Sequence, residues 1–433
     1  SLSLKANNKY YGKTPYISNI TFEFFGNKDD LVKAANQKTI DGFSITALDD
    51  NQALAEKEIQ QGWTVNEKFN IYSFSMPRYF AVFFNPKDTN PLSDANITQA
   101  LNYSVNKQEL AQKINEAFKE KTSVVNSPIL PDYYGFSQPT KNYDFNIDTA
   151  NKLLDKSGYK DNGSGQRAKA NSKTPAFQFK SYLSGTSGAK TEITELQGCL
   201  ARLDSSFKAL LENETNGKYG KGTEDAVTAF QKKYLPDMPS TGEVGAGTRK
   251  KLNELCLTPQ NNSIPLKFTL TTVNQPQMVE TANLLKDYWQ KVGVSVDIKT
   301  VELSELKDII KTRSYDALIY GEALGSLPDL YPFWHSTQVN DPGLNLAGYK
   351  NKKADQLLKD AREAADEQTK ISKYEALQDV ILADTPAIFL YNPDYIYWIS
   401  GKVKGIDTNK IIDPAKRFEN ISNWFINTKR VWK

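Results

Sequence analysis

Apolar side chains along the chain follow two spacings, one typical of strands and one typical of helices. Residues 79–84, Tyr-Phe-Ala-Val-Phe-Phe, form an almost continuous apolar run that ends at Asn85-Pro86, as a strand buried on both faces does. Residues 97–118 have apolar side chains at helical spacing, with an interruption near Asn106-Lys107. This stretch therefore predicts a buried strand followed by an interrupted helix.

The same alternation recurs later in the chain. Strands are predicted at 265–272, 294–301 and 315–320, with helices at 278–292 and 303–313 between them. A strand–helix–strand order of this kind gives a parallel or mixed sheet with helices on its faces. The predicted fold class is therefore α/β.

Further elements and two breaks complete the pattern. The additional predictions are a strand at 17–25, helices at 30–35, near 51–60 and at 148–154, two helices within 352–383 and a strand at 387–391. Residues 160–175 have no apolar periodicity and are interpreted as a linker, and 258–263 as a second loop. We expect the stretch between them to form a unit of its own.

Composition and charge exclude several classes of function. The chain has 433 residues, a formal net charge of +3, one histidine (His335) and two cysteines. A charge this close to balance does not support a dedicated nucleic-acid binder. The shortage of histidine and cysteine excludes His-rich or Cys-rich zinc sites and any catalytic triad or dyad that needs a histidine other than His335. We therefore expect no metal, no cofactor and no enzymatic activity.

We expect neither a membrane-spanning segment nor an export signal in this sequence. No apolar run reaches the ~18 residues of a membrane span, and the first residues show no basic region followed by an apolar stretch. The sequence is accordingly expected to be that of an intracellular protein or of a processed or truncated piece.

Ordered motifs outside the predicted insertion are shared with a known family. They include Tyr10–Ile17, Gln37–Gly42, Phe83-Phe84-Asn85, Ala100–Lys107 and Tyr315-Asp316-Ala317. Over residues 9–160 and 264–433 the chain resembles the family-5 solute-binding proteins of peptide and oligopeptide importers. The resemblance implies a periplasmic-binding-protein-like type II fold, an extracytoplasmic location in the periplasm or at the cell surface, a membrane anchor in the full precursor, a peptide-like ligand and the membrane subunits of an ABC importer as partners.

The chain departs from this family at two points. Thr98 stands where members have arginine, and Val105-Asn106-Lys107 replaces their usual isoleucine–aspartate–arginine. The family's motifs also begin partway through its first lobe, so we expect this sequence to be a C-terminal portion. The resemblance then assigns residues 1–78 and 395–433 to a partial lobe I, and 79–174 and 259–394 to lobe II.

The predicted insertion, residues 175–258, resembles the type-1 peptidoglycan-binding domain. Its central block, Tyr219–Thr223 followed by Ala226-Val227 and Ala229-Phe230-Gln231, combines a glycine turn, a threonine cap and a Phe-Gln helix end. The resemblance implies a small three-helix module and makes peptidoglycan a possible partner. Tyr219 and Gln231 are modest candidates for glycan contact, and the alternative is a module that keeps its fold without a ligand.

Both cysteines lie inside this insertion. Cys199 falls on the first predicted helix and Cys256 just after the third, and in a bundle of the kind the resemblance implies these ends can lie together. A disulfide is therefore expected, and it would indicate an oxidising, extracytoplasmic compartment. Two buried thiols are the alternative.

Candidate ligand contacts are placed by analogy with the interlobe cleft. Phe83 and Asn85 end a strand expected to point into the cleft, and Trp334 and His335 follow a loop that lines it in resembling proteins. The aspartate that anchors the ligand's amino terminus in some peptide binders is missing, because Leu324 stands at about that position. Glu322 is the carboxylate that can replace it in a salt bridge to a cationic ligand group, and its alternative is an exposed loop acid. For His335, local packing or hydrogen bonding is the competing interpretation.

These observations favour a non-enzymatic solute-binding protein with a wall-binding module. Two other classes remain open at this point. One is a cell-wall hydrolase or transpeptidase, because such modules often accompany these enzymes, and the other is a wall-anchored scaffold with a degenerate cleft.

Overall fold

The computed structural model describes residues 1–7, 9–44, 69–87, 90–118, 121–161, 163, 165–170, 177–256, 263–326 and 328–426. Within them the chain divides into two compact units, one made of Ser1–Ala168 with Pro265–Lys433 and the other of Lys169–Ile264. The helix predicted near 51–60 and the predicted insertion boundaries at 174/175 and 258/259 lie outside the described residues. The division of the larger unit into lobes stays a prediction.

Strands and helices are numbered in chain order. The strands are β1 (Leu2–Lys5), β2 (Asn19–Phe22), β3 (Gly42–Phe43), β4 (Phe69–Phe74), β5 (Arg78–Phe84), β6 (Thr122–Val124), β7 (Lys160–Asp161), β8 (Arg167–Ala170), β9 (Ser263–Pro265), β10 (Lys267–Val273), β11 (Ser295–Val301), β12 (Ala317–Ala323), β13 (Ala387–Pro393), β14 (Tyr395–Ser400), β15 (Val403–Lys404) and β16 (Phe425–Ile426). The helices are α1 (Lys28–Asn36), α2 (Ala95–Tyr103), α3 (Lys107–Phe118), α4 (Pro131–Tyr134), α5 (Ile147–Lys156), α6 (Lys190–Leu203), α7 (Ser205–Leu210), α8 (Lys221–Tyr234), α9 (Ala246–Cys256), α10 (Pro276–Gln290), α11 (Leu303–Thr312), α12 (Tyr331–Trp334), α13 (Lys352–Glu363) and α14 (Glu367–Asp384). Short 3-10 turns occur at Pro91–Ser93, Ser336–Gln338, Pro414–Phe418 and Ile421–Asn423.

A mixed sheet is the centre of the larger unit. In the described part of the chain its six strands follow the order β11-β10-β12-β5-β13-β6. β10 pairs in parallel with both β11 and β12, whereas β5 pairs antiparallel with β12 and β13. The parallel part is built by the strand–helix–strand stretch that the sequence predicted. The predicted α/β class, with a mixed sheet and flanking helices, is confirmed.

Helices cover both faces of this sheet because β5 is apolar on both sides. Val82 and Phe84 pack in a cluster with side chains of α2, α3, α5 and α10. Ala81 and Phe83 face the opposite cluster, which contains side chains of α11, α13 and α14. The predicted interruption of the helix at Asn106-Lys107 is also present, as the break between α2 and α3.

The larger unit also contains a second, smaller sheet, built from strands that precede β5 and follow β13. We call residues 1–7, 9–44, 69–77 and 395–426 the small-sheet body; its three-stranded sheet has the order β3-β14-β4. Val32 and Ala35 of α1 pack with Trp398 on one face, and Phe74 and Trp424 lie in the cluster on the other. β1 and β2 form a separate antiparallel pair.

Part of the stretch interpreted as a linker is structured, which corrects that expectation. β7 and β8 pair within it, and together with β9 they form a three-stranded sheet. The reason is Arg167, whose side chain is buried although the surrounding residues are polar. Its guanidinium donates to Asp155 Oδ1 at 2.6 Å, to the carbonyl of Tyr159 at 2.7 Å and to the carbonyl of Val292 at 3.0 Å.

The main-chain N–H and carbonyl of Arg167 are also hydrogen-bonded. Its N–H donates to the carbonyl of Gly293 at 2.8 Å, and its carbonyl accepts from the N–H of Leu266 at 2.8 Å. Gly293 has a φ of +80°, and a Cβ there would lie 2.8 Å from Arg167 Cγ, so this close approach requires glycine. Tyr159 and Leu266, on the two sides of the smaller unit in sequence, lie in the same apolar cluster.

The smaller unit is a helical module with its own core. Leu196 and Leu200 of α6 pack with Val227 and Phe230 of α8 and with Leu252 of α9. Cys199 and Cys256 form a disulfide bond with a Cα–Cα distance of 5.8 Å, which ties α6 to the end of α9.

We predict that Arg167→Ala lowers the free energy of unfolding of the larger unit by about 2–4 kcal/mol, because buried carbonyl groups lose their donor. The measurement is urea denaturation followed by tryptophan fluorescence. All six tryptophans lie outside residues 169–264, so the signal reports on the larger unit. Lys160→Ala is the matched control, since exposed Lys160 also contacts Asp155, at 3.5 Å, and its loss should cost less than about 0.5 kcal/mol. Equal effects of the two substitutions would contradict the prediction.

Candidate functional site

Two antiparallel strand pairs connect the large sheet to the small-sheet body. β4 continues through residues 75–77 into β5, and β13 continues through Asp394 into β14. β5 pairs with β13 in the large sheet, and β4 pairs with β14 in the small one. We call residues 75–77 and 394 the crossing.

Side-chain hydrogen bonds reinforce the crossing. Asn392 Nδ2 donates to the carbonyl of Met76 at 2.8 Å, and Arg78 donates to the carbonyl of Pro393 from Nη2 at 3.2 Å. The hydroxyl of Ser73 donates to the Asp394 carboxylate. Because each bond joins one crossing strand to the other, the two connections are held together as a pair.

The end of β12 lies beside the crossing. The N–H of Leu324 donates to the carbonyl of Pro77 at 2.7 Å. The next residue, Gly325, has a φ of +75° with open space where a Cβ would be, and its carbonyl accepts from the Tyr134 hydroxyl at 2.6 Å. Two hydrogen bonds therefore hold the chain at Leu324 and Gly325, and the space where a Gly325 Cβ would lie is open.

Helix α4 also reaches the small-sheet body. The hydroxyl of Tyr133 donates to the carbonyl of Ile411 at 3.1 Å. Lys410 Nζ donates in the opposite direction, to the carbonyls of Asp132 at 3.0 Å and Tyr133 at 2.9 Å. The crossing, the Gly325 loop, α4 and residues 410–411 together form the candidate site.

A buried acid lies in β12 just before this loop. Glu322 is 3% exposed and sits within β12, which corrects both the loop position and the exposed state considered from the sequence. One of its carboxyl oxygens, Oε2, accepts from the hydroxyl of Tyr79, and the other, Oε1, has no hydrogen-bond partner among the described residues. Burial raises the pKa of Glu322 to about 8, and the Tyr79 hydrogen bond opposes this only in part. Burial and the Glu322 charge also raise the pKa of Tyr79 well above its usual value.

Two aromatic candidates are core residues in this structure. Phe83 and Trp334 are each 1% exposed, and their rings contact each other at a centroid distance of 6.2 Å. The structure does not bring either ring to a surface, and a ligand-contacting role for them stays a prediction.

Asn85 lies at the end of β5 away from the crossing. Its Nδ2 donates to the carbonyls of Arg313 and Tyr315, both at 2.9 Å. β5 starts at the crossing and ends at Phe84, so Asn85 follows the strand end that is farther from the crossing. Ligand contact by Asn85 also stays a prediction.

His335 makes local contacts after the short helix α12. It is 2% exposed, its ring stacks on Tyr331 at 4.0 Å, and Nδ1 lies 2.9 Å from the Thr337 hydroxyl. Burial lowers the pKa of His335, and the carboxylate of Asp355, 3.9 Å from Nε2, acts in the opposite direction. Among the described residues no group of His, Cys, Asp or Glu is arranged to hold a metal ion.

In the smaller unit the two glycan candidates point inward. The Tyr219 hydroxyl donates to the carbonyl of Gly242 at 2.7 Å. Gln231 accepts from the N–H of Gly242 at 2.9 Å and donates to the carbonyl of Glu243 and to the hydroxyl of Thr248. Because these groups are buried and already bonded, glycan contact by Tyr219 and Gln231 stays a prediction without a surface to support it.

A second glutamine repeats this arrangement. Gln197 accepts from the N–H of Gly217 at 2.9 Å and donates to the carbonyl of Lys218 and to the Thr223 hydroxyl. The matching sequence signals are Gly-Lys-Tyr-Gly-Lys-Gly-Thr at 217–223 and Gly-Glu-Val-Gly-Ala-Gly-Thr at 242–248. This internal repeat was missed by the sequence analysis, and it explains Gln231 as a structural residue.

The comparisons with known proteins agree with this architecture. The family model "Bacterial extracellular solute-binding proteins, family 5 Middle" matches residues 1–241, which is more than half of the chain. The chain belongs to this family. The resemblance to family-5 solute-binding proteins that the motifs indicated is thereby confirmed.

Individual relatives of this family-5 protein match over shorter stretches. It is 32% identical over 163 residues to the oligopeptide-binding protein AppA of Bacillus subtilis, covering 37% of this chain and 29% of AppA. It is 24% identical over 165 residues to the probable D,D-dipeptide-binding periplasmic protein DdpA of Escherichia coli, covering 37% of this chain and 32% of DdpA. The chain therefore matches less than a third of the length of these curated relatives.

Solved structures show that the fold is shared more widely than the sequence. AppA of Bacillus subtilis in complex with a nonapeptide aligns with a TM-score of 0.58 at 19% identity, over 98% of this chain and 64% of AppA. NikZ of Campylobacter jejuni in complex with Ni(L-His) aligns with a TM-score of 0.60 at 19% identity, over 98% of this chain and 65% of NikZ. At this identity the likeness establishes the fold alone. No helix among the described residues has the length and apolar character to cross a membrane.

We predict that the stability of the larger unit decreases as pH rises from about 4.5 to about 8, because folded Glu322 holds its proton more tightly than the unfolded chain does. Glu322→Gln should remove this decrease, making the variant more stable than the parent at pH 9 by about 3–5 kcal/mol and similar to it at pH 4. Urea denaturation at a series of pH values, followed by tryptophan fluorescence, measures both slopes.

Glu305→Gln is the matched control for this comparison, because Glu305 is exposed and pairs with Lys299 at 3.3 Å on the surface. It should keep the slope of the parent. Parallel curves for the parent and Glu322→Gln would show that Glu322 does not titrate in this range.

Proposed function

We propose that this chain is the ligand-binding component of an ABC importer and that it binds peptides or peptide-like solutes at the candidate site. Membership of family 5 carries the proposal. The crossing supports it, because two paired connections allow two bodies to close over a ligand while they remain joined. In this proposal the membrane subunits of the importer are partners, ATP hydrolysis belongs to them, and the chain works outside the cytoplasm from a membrane-anchored precursor.

A peptide suits the candidate site because the site offers main-chain groups. The open space at Gly325 and the two tyrosines of α4 provide main-chain groups and aromatic surface. Recognition of an extended peptide depends on main-chain hydrogen bonds and permissive pockets. The printed names of AppA and DdpA, an oligopeptide binder and a probable D,D-dipeptide binder, support the same ligand class.

Glu322 is the proposed partner of a cationic group on the ligand. Its Oε1 has no hydrogen-bond partner, and the residue lies three positions before Gly325. An ammonium group that approached from this loop would favour the ionised carboxylate, and the resulting charge-assisted hydrogen bond would be stronger than the neutral one.

We predict that peptides stabilise the larger unit and that Tyr134→Phe weakens this effect. A peptide at a concentration of 100 Kd should add about 2.7 kcal/mol to the free energy of unfolding. Tyr134→Phe removes the hydroxyl that holds Gly325, so we expect roughly tenfold weaker binding, equivalent to about 1.4 kcal/mol. Thermal unfolding of the full chain with defined peptide pools, followed by calorimetric titration, measures both effects.

Tyr288→Phe is the matched control, because Tyr288 lies on α10 and its hydroxyl faces Glu109 of α3, not a residue of the crossing. It should leave peptide affinity unchanged. A chain that does not respond to any peptide would support the scaffold alternative, and cleavage of purified muropeptides would support the enzyme alternative.

We further propose that the smaller unit binds peptidoglycan, on the strength of its sequence resemblance and its independent core. The full chain should then sediment with insoluble purified peptidoglycan. Glu322→Gln, whose change lies in the larger unit, should sediment to the same extent. If the chain stays in the supernatant, the module has kept its fold without this ligand.

A further inference from the structure

Hydrogen bonds join four segments around the candidate site into a closed ring, which we call the site ring. The N–H of Leu324 binds the carbonyl of Pro77 in the crossing, and the hydroxyl of Tyr134 binds the carbonyl of Gly325. The four segments are residues 75–77 of the crossing, residues 324–325, helix α4 and residues 409–411. The remaining joints of the ring are made by residues 409–411.

Residues 409–411 belong to the small-sheet body and bind the crossing through their main chain. The N–H of Ser75 donates to the carbonyl of Asn409 at 2.8 Å, and the N–H of Ile411 donates to the carbonyl of Ser75 at 2.9 Å. The side chain of Ile411 is 3% exposed and lies in the apolar cluster with Phe74 and Trp424. A movement of the small-sheet body therefore carries residues 409–411 with it.

Helix α4 binds the same segment from the other side. Its tyrosines pack against the apolar cluster of the large sheet. The Tyr133 hydroxyl donates to the carbonyl of Ile411 at 3.1 Å. Lys410 Nζ donates to the carbonyls of Asp132 and Tyr133 and lies 5.4 Å from the centroid of the Tyr133 ring. A lysine in this position satisfies carbonyl groups that a helix leaves unpaired at its end.

The main chain has the left-handed conformation on both sides of α4. Leu130, before the helix, has a φ of +50°, and Gly135, after it, has a φ of +78°. A leucine in this region has a steric cost that a glycine avoids, and Leu130 is held there in the buried cluster at 6% exposure. Strained positions of this kind are concentrated at functional sites. The helix is thus a single turn between two changes of chain direction.

We infer that α4 transmits the position of the small-sheet body to Gly325, and that Lys410 and Tyr133 are positioning residues for the candidate site. Two neighbouring hydroxyl groups make this connection in a helix of four residues. The Tyr133 hydroxyl is bonded to the small-sheet body and the Tyr134 hydroxyl to Gly325. A shift of residues 409–411 moves α4 and with it the carbonyl of Gly325. Coupling of this kind acts in both directions, so a ligand that fixes Gly325 also fixes the small-sheet body.

Hydrogen–deuterium exchange of the full chain without ligand, read at single residues, measures the coupling at the Leu324 N–H. This amide binds Pro77, whereas the hydrogen bonds of Lys410 go to α4. Lys410→Ala should accelerate exchange at Leu324 about fivefold, the effect expected when one ordinary hydrogen bond is lost. Lys410→Arg keeps a cationic donor and should restore the parent rate. Lys121→Ala is the matched control, because exposed Lys121 lies 3.8 Å from Asp394 of the crossing, and it should leave the rate unchanged.

A double variant tests whether the joints act in series. Tyr134→Phe opens the joint between α4 and Gly325, so adding Lys410→Ala to it should accelerate Leu324 exchange by less than about twofold more. Fully additive effects, or an unchanged Leu324 rate in Lys410→Ala alone, would overturn the inference. Because Lys410 is exposed, its substitution should leave the circular dichroism spectrum of the chain unchanged.

The consequence for affinity rests on the proposed function and is measured separately. In calorimetric titration with a peptide that stabilises the parent chain, Lys410→Ala should bind about threefold to fivefold more weakly. Lys410→Arg and Lys121→Ala should bind like the parent. Equal affinity of Lys410→Ala and the parent would overturn the positioning role. A parent chain that binds no peptide would contradict the proposed function, and the exchange rates at Leu324 would still decide whether α4 couples the two bodies.

Discussion

The larger unit depends on one constraint, which is that two antiparallel chain segments, β4–β5 and β13–β14, pass through both the six-stranded sheet and the sheet β3-β14-β4. β4–β5 and β13–β14 are paired on each side of residues 75–77 and 394, so neither connection can shift without its partner. A change in the angle between the two sheets must be accommodated by residues 75–77 and 394, because the strands on either side of them are hydrogen-bonded in ladders. The hydrogen bonds of Asn392 and Arg78 across the crossing add a specific geometry to this constraint.

The strand pairing beside the crossing also explains the position of the buried Glu322. β12 pairs with β5 along its whole length, so Glu322 stands opposite Tyr79, next to the first residue of β5. A carboxyl group at this depth costs free energy when ionised, and a single phenol hydrogen bond does not offset that cost. A buried group of this kind beside an open loop is a common sign of a functional site.

Local sequence patterns predicted the elements that depend on local interactions. The apolar run of β5 gave the central strand, and the break before Lys107 is explained by Asn106, whose side-chain oxygen accepts from the N–H of Glu109 at 3.1 Å and starts a new helix. The end of β12 was harder to predict from the sequence. Gly321 suggests a strand end after Tyr320, but pairing with β5 continues to Ala323 and takes Glu322 into the sheet. A ladder partner more than 200 positions away cannot be found from periodicity.

The roles of single buried polar residues depended on such distant partners more than the order of strands and helices did. Arg167 stands in a polar stretch without a pattern, and its role appears only when Val292 and Asp155 are placed around it. Gln231 is a modest candidate for glycan contact because its motif resembles that of peptidoglycan-binding modules, although its amide closes a turn inside the core. In both cases the residue type was informative, but the direction of the side chain could be determined only from the tertiary structure.

The hydrogen bond between Arg167 and Leu266 has a consequence for how the molecule could have acquired its extra module. These two residues mark the places where the chain leaves the larger unit and returns to it, and their main chains are 2.8 Å apart from N to O. A larger unit whose two chain ends already touch needs only a tight turn to close, so an inserted sequence can be gained or lost without rearranging that unit. The larger and the smaller unit can thus change independently within one gene.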